Sequence, residues 1–295
     1  MGADLFDLRA DLLGARADHV LGWSLRTMCL EAPEVLLTRT EHAQPALFAV
    51  SYALWEEVRA RIPALPAATA GHSLGEYTAL AATGAIDFDD ALAVVAQRGA
   101  AMAAAADLEP SGMAAMIGAD VELAEKVCAD RRSLSGRLYV ANLNGPGQVV
   151  VAGGVEDLDW LEAEAPHLGV RRVVRLKVAG AFHSPFMATA AQAVEDALSR
   201  ISIHSPAFPV WANVTGRPFD PDRIGELLID QVVEPVRFGQ ILEGMGEAGI
   251  DLFLHLGPGD VTAGLARRAV PGARTLSVSE VGAIGTAAAS LGSIG

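Results

Sequence analysis

The segment Gly71-His72-Ser73-Leu74-Gly75 limits the fold of this chain more than any other stretch. It fits G-x-S-x-G, preceded by the short apolar run Ala67-Ala68-Thr69-Ala70 and followed by helix-forming residues from Leu74 onward. That pattern predicts a strand, a sharp turn and a helix, with a serine hydroxyl presented at the top of an α/β sheet. The turn strains the serine backbone, and glycines on either side are expected to let strand and helix approach closely. The N–H of Leu74, at the helix start, is placed to donate to an oxyanion. The competing reading of Ser73 is a helix cap in a glycine-rich turn.

Around this segment the chain alternates helices with short apolar strands, which indicates a mostly parallel sheet. Residues 3–21 and 45–61 carry helical apolar spacing, the second with Pro45 in an expected first turn. Residues 87–106 open with acids suited to a helix start. The rhythm changes in the middle. Strands are expected at 112–118, 138–144, 148–154 and 171–179, and helices at 120–130 and 155–168, with Gly145-Pro146-Gly147 as a turn. Strand, helix, strand, strand, helix, strand is the ferredoxin-like order. Residues 111–179 therefore read as an inserted subdomain, and 1–110 with 180–295 as the α/β core. In the last part helices are expected at 185–200 and 235–248 and strands at 208–213 and 251–256, with a loosely held tail from Gly282.

Bulk properties exclude several functions. A net charge of −14 and 5% aromatic residues argue against a nucleic-acid binder. Cys29 and Cys128 have no motif spacing, so neither a disulfide framework nor a zinc site is expected, and a reducing, cytoplasmic setting fits. The acidic, amphipathic start is not a signal peptide, and no apolar run is expected to span a membrane.

A serine hydroxyl needs a base. His19, His42, His167 and His204 sit in polar or helical surroundings. The elbow turns His72 away from the serine, and His255 reads as packed in an apolar strand. His183 follows a strand and precedes a helix, where catalytic side chains collect in such folds, and position alone leaves it one candidate among seven. Arg98 is open to two readings. Its planar guanidinium suits two parallel bonds to a carboxylate, yet on an alanine-rich helix it equally suits a solvated surface.

Several segments together resemble the malonyl-CoA:acyl carrier protein transacylase family and the acyltransferase domains of polyketide synthases. They are GHSLGEYTAL (71–80), QRGAAM (97–102), GAFHSPFM (180–187) and ANLNGPGQVVVAGG, with QPALF, EPVRF and LGPGDVTAGLARR in family order. The resemblance implies an α/β-hydrolase-like core with an inserted ferredoxin-like subdomain. It implies Ser73 as nucleophile, His183 as base, Leu74 N–H as an oxyanion donor, and Arg98 as the clamp for the malonyl carboxylate. Gln231, before EPVRF, matches the position whose backbone carbonyl orients the histidine. Malonyl-CoA and acyl carrier protein are the implied partners of a monomer needing no metal or bound cofactor, the coenzyme A thioester being substrate. Arg171, Arg172, Arg175 and Lys177 are candidates for docking the acidic carrier protein. Family members begin with a strand and a Gly-Gln-Gly-Ser-Gln loop that supplies a second oxyanion N–H. This chain opens at what normally follows them, the expectation being a start at an internal methionine or a fragment.

Overall fold

The computed structural model describes residues 3–62, 64–145 and 147–292, so Pro146 of the expected turn and both extreme termini lie outside the described residues. The expected helix over 3–21 is broken into α1 (Ala3–Leu8), α2 (Ala10–Leu13) and α3 (Ala15–Leu21). Gly14 interrupts it with a non-helical ψ of −131°, and Gly22 ends it in the left-handed region at φ 74°. Then come α4 (Leu25–Leu30), α5 (Glu34–Leu37) and α6 (Thr40–Arg61). Pro45 lies inside α6 rather than in its first turn, because the helix starts at Thr40.

After β1 (Thr69–Ala70) and α7 (Gly75–Ala82), α8 (Phe88–Leu108) is among the described residues the one helix long and apolar enough to cross a membrane. The sequence reading expected none. Here α8 packs between α6 and α11 as a core helix and carries the buried Arg98. Gly99 permits the approach: a Cβ there would lie 2.9 Å from the Thr40 carbonyl oxygen. That closeness seats Arg98 beside Gln44 of α6.

The next six elements are β2 (Ser111–Ile117), α9 (Val121–Ser133), β3 (Leu138–Leu143), β4 (Gln148–Gly154), α10 (Val155–Glu164) and β5 (Arg172–Arg175). Their strands form one antiparallel sheet in the order β3-β4-β2-β5. Alternation explains the unbroken apolar run of β4. Val149 and Val151 join a cluster with Val127, Cys128, Leu158 and Leu161, while Val150 and Ala152 face the main core. The expected strand over 171–179 stops at Arg175, after which Leu176 to Ala179 run exposed. Val236 ties this sheet to the rest: Leu143 N–H donates to its carbonyl at 2.8 Å, and its own N–H donates to Ala141 O at 2.9 Å.

The chain continues through α11 (Ala188–Leu198), β6 (Val210–Trp211), α12 (Ile224–Asp230), α13 (Phe238–Glu247), β7 (Leu252–Leu256), α14 (Val261–Ala269), β8 (Arg274–Val278) and α15 (Val281–Gly292). The fold is mixed α/β with parallel strand elements. Among the described residues the parallel sheet is two separate pairs, β1 with β6 and β7 with β8, rather than one continuous sheet. The tail expected to be loose is instead helix α15, anchored by buried Ile284 and Ala287, because its apolar residues recur at helical spacing.

Candidate active site

Ser73 sits between β1 and α7 with φ 51°, in the left-handed region that a side chain enters at a cost. The two glycines of the motif differ. A Cβ on Gly71 would lie 1.9 Å from the Gly75 carbonyl carbon, whereas a Cβ on Gly75 would meet nothing within 4 Å. Close approach therefore needs Gly71 alone. The turn is held by Asn213, just past β6, whose Oδ1 accepts from Ser73 N–H at 2.7 Å while its Nδ2 donates to Gly71 O at 2.8 Å.

His183 lies in the loop before α11, also strained at φ 56°. Its Nε2 is 2.7 Å from Ser73 Oγ, and its Nδ1 is 2.7 Å from the backbone carbonyl of Gln231, just after α12. A carbonyl only accepts, so Nδ1 carries the proton and Nε2 presents its lone pair to the serine hydroxyl. Burial, with Arg98 close by, pushes the imidazole down to about 3, which keeps it neutral and able to take a proton.

Arg98 is 1% exposed, which rules out the solvated-surface reading of its helix position. Its Nη2 donates to Ser73 Oγ at 3.1 Å and to Gln231 Oε1 at 2.8 Å, and its Nη1 donates to Gln44 Oε1 at 2.5 Å. The guanidinium also lies over the Tyr77 ring, 5.6 Å from its centroid. Arg98 Nε and Tyr77 Oη are both buried and make no hydrogen bond of good geometry. Leu74 N–H, at the start of α7, has no backbone partner among the described residues, while the following Gly75 N–H donates to His72 O.

All five residues singled out from the sequence thus converge on one spot. His72, expected to turn away, does so: its Nε2 is 2.8 Å from Asn144 Oδ1 and its ring packs on Phe238. His255 is tied to Thr262 Oγ1 at 2.5 Å in β7. Three participants escaped the sequence reading, namely Gln44, Asn213 and the role of Glu76. Their only signal is a polar residue inside an apolar context, directly before Pro45, two residues after the β6 strand, and within the GHSLGE run. Of the basic residues on and after β5, Arg175 is bound by Asp159 and Glu162, at 2.6 and 2.7 Å.

A hydroxyl paired to a neutral imidazole, beside an unpaired helix-start N–H and a buried cation, equips this fold for covalent acyl transfer on serine. The chain belongs to the acyl transferase domain family, whose profile matches residues 1–281. It is 36% identical over 284 residues to the malonyl CoA-acyl carrier protein transacylase of Bacillus subtilis, covering 95% of this chain and 89% of that one. It is 37% identical to the polyketide biosynthesis protein ThaF of Burkholderia thailandensis over 92% of this chain, but spans only 23% of that relative's length. Among solved structures, a type II polyketide synthase acyl carrier protein in complex with its malonyl-transacylase matches with TM-score 0.91 and 33% identity, covering 98% of this chain and 94% of that one.

Proposed function

We propose that this chain moves a malonyl group from malonyl-CoA to the phosphopantetheine thiol of acyl carrier protein, through an ester on Ser73. One observation carries the reading. The oxygen that would be acylated is 2.7 Å from a neutral histidine nitrogen and 3.1 Å from a buried arginine nitrogen. A malonyl group holds its free carboxylate one methylene from the thioester carbonyl. A guanidinium within one hydrogen bond of the nucleophile suits that spacing, whereas an uncharged acyl chain would leave the buried cation unpaired.

In this cycle His183 Nε2 takes the Ser73 proton as Oγ attacks the thioester carbonyl. The oxyanion is held by Leu74 N–H, a donor of a kind worth about 3–4 kcal/mol in the transition state. The carbon–sulfur bond breaks, and coenzyme A leaves with the proton from His183. The carrier-protein thiol then gives its proton to His183 and attacks the ester, and Ser73 recovers its hydrogen. The Gln231 carbonyl holds the imidazole through Nδ1 and takes the place of a triad carboxylate. One proton on His183 balances both half-reactions, so neither a metal nor a bound cofactor is expected.

Residues 111–179 form the inserted subdomain of this reading, and the rest is the catalytic core. For docking of the carrier protein, Arg171, Arg172 and Lys177 are the candidates, Arg175 being neutralised by its own carboxylates. Reversing the charge of Arg171 and Arg172 should raise the KM for carrier protein and leave loading from malonyl-CoA unchanged. Equal use of carrier protein by that variant would remove the patch from the account. The protein acts as a monomer on this reading, and a cytoplasmic setting is supported by two free, buried cysteines that suit a reducing compartment.

The test is the intact mass after incubation with malonyl-CoA. A gain of one malonyl group, absent in Ser73→Ala and His183→Ala and passed on to carrier protein, is the expected result. Release of free malonate outpacing transfer would instead make the chain a hydrolase.

A further inference from the structure

Glu76 is 1% exposed, forms no salt bridge among the described residues, and has no part in the cycle above. A buried carboxylate is rare unless its charge is matched. Its Oε1 accepts from Asn213 N–H at 2.6 Å, and its Oε2 accepts from Gln231 Nε2. The same Gln231 Nε2 donates to Ser73 O at 2.8 Å, and Gln231 Oε1 accepts from Arg98 Nη2 at 2.8 Å. Glu76 therefore closes two chains. One runs through Asn213 to the Ser73 turn, the other through the Gln231 side chain to Arg98.

We propose that Glu76 is a positioning residue for malonyl selection: its carboxylate sets which way the Gln231 amide faces, and that amide holds Arg98 beside Ser73. The inference rests on the transfer reading and deepens it. A carboxylate only accepts, so the amide must turn its NH2 toward Glu76 and the Ser73 carbonyl. Its oxygen then points at the guanidinium. The opposite orientation would set NH2 against a cation and a carbonyl against two acceptors, losing three hydrogen bonds at once.

The carboxyl is also placed to titrate. Burial pushes it up to about 8, opposed by Asn213 N–H, the Gln231 amide and Arg98. Once protonated, it no longer offers a negative charge to the Gln231 NH2, so the bond that fixes the amide weakens and Arg98 is held less firmly. The other titratable groups facing this network do not change charge in the same range. Arg98 from α8 stays a guanidinium, burial pushes the Tyr77 phenol up to about 12, and burial lowers both His72 and His183. Malonyl loading should therefore rise with pH through the region near 8.

The experiment compares single-turnover loading of Ser73 from malonyl-CoA and from acetyl-CoA in wild type, Glu76→Gln and Gln231→Met, across about pH 6 to about pH 9. Gln231→Met removes the amide and keeps the backbone carbonyl on His183. Labelling of Ser73 by a small fluorophosphonate, which has no carboxylate to clamp, reports whether the serine–histidine pair still reacts. Expected for Glu76→Gln at high pH is a drop of at least about tenfold in the malonyl-to-acetyl ratio, larger than any loss of fluorophosphonate labelling, which reports damage to the turn that both thioesters share. The rise with pH should vanish in both variants, and the double variant should lose no more than the worse single one, since the two side chains act in series. An unchanged ratio, an unchanged pH profile, or fully additive losses would overturn the proposal. If Glu76→Gln fails to fold, wild type against Gln231→Met still decides: the same pH profile in both refutes it. Wild type that takes no malonyl group at all would refute the transfer reading itself, whereas loading with an unaltered ratio refutes only the role of Glu76.

Discussion

Replacing Gly71 by alanine should disable the site, and replacing Gly75 by alanine should not, although the motif treats the two glycines alike. The added methyl at position 71 would lie 1.9 Å from the Gly75 carbonyl carbon, 2.0 Å from its oxygen and 2.5 Å from Glu76 N. All three are backbone atoms, so no side chain can rotate out of the way, and the turn must open by more than about 1 Å to reach ordinary contact. That movement pulls on both Asn213 bonds to the turn and on the Ser73–His183 distance. A misplacement of about 1 Å costs on the order of 100-fold in rate, and overpacking of this kind costs about 1–3 kcal/mol of stability. At position 75 a methyl meets nothing, and the residue opens a helix, so stability should rise by about 0.4–1 kcal/mol. The assay is the single-turnover rate of Ser73 loading from malonyl-CoA, with thermal unfolding beside it. Normal loading by Gly71→Ala, or equal damage from Gly75→Ala, would refute the geometric account of the turn.

Arg98→Ala should lower malonyl loading by about 100- to 1,000-fold while acetyl loading falls far less, because only malonate carries the carboxylate; intact mass with each thioester measures this. Asn213→Ala strands Ser73 N–H and Gly71 O at about 1–3 kcal/mol each, so both the unfolding temperature and the loading rate should fall. For His183 the folded value of about 3 lies below the ordinary 6.5, so between those values the unfolded chain binds the extra proton. The stability this neutral histidine contributes is present above about pH 6.5 and is lost as pH falls toward 3. The melting temperature of His183→Ala should therefore decline less steeply than that of wild type on acidification from neutral pH, and an equal slope would count against the depressed value.

What could be read from the sequence follows from how local each cause is. The antiparallel insert was legible because its strands are long and bounded by turns: Ser111–Ile117 and Gln148–Gly154 pair over their whole length. The parallel strands were harder. β1 and β6 have two residues each, and β8, Arg274–Val278, is five residues long with three of them polar. The break of the first helix falls at Gly14, whose conformation its neighbours in sequence do not announce, and in the tail Gly282 and Gly285 mask the helical spacing of Ile284 and Ala287. Pro45 misled by position: proline suits a first turn, but the helix was extended backwards to Thr40 by packing of α6 on α8, the contact that Gly99 permits.

The site divides along the same line. Ser73, Leu74 and the glycine before them announce themselves because strain at one turn is a local matter. His183, Arg98 and Gln231 lie on separate loops and helices, and only the order of several motifs tied them to the serine. The polar groups that hold them there have no local signature at all. Gln44, Glu76 and Asn213 each sit among apolar neighbours, and each is buried. An unpaired polar group in that position costs about 1–3 kcal/mol, so their burial already requires partners. The partners prove to be the functional groups themselves. Glu76 and Asn213 hold the turn and the Gln231 amide, and Gln44 holds Arg98. A cation fixed by three acceptors from α6, α12's end and the serine elbow is already desolvated before any substrate arrives. The carboxylate that replaces the serine hydroxyl as acceptor finds its partner oriented, so binding energy goes to selecting the acid rather than to arranging the site.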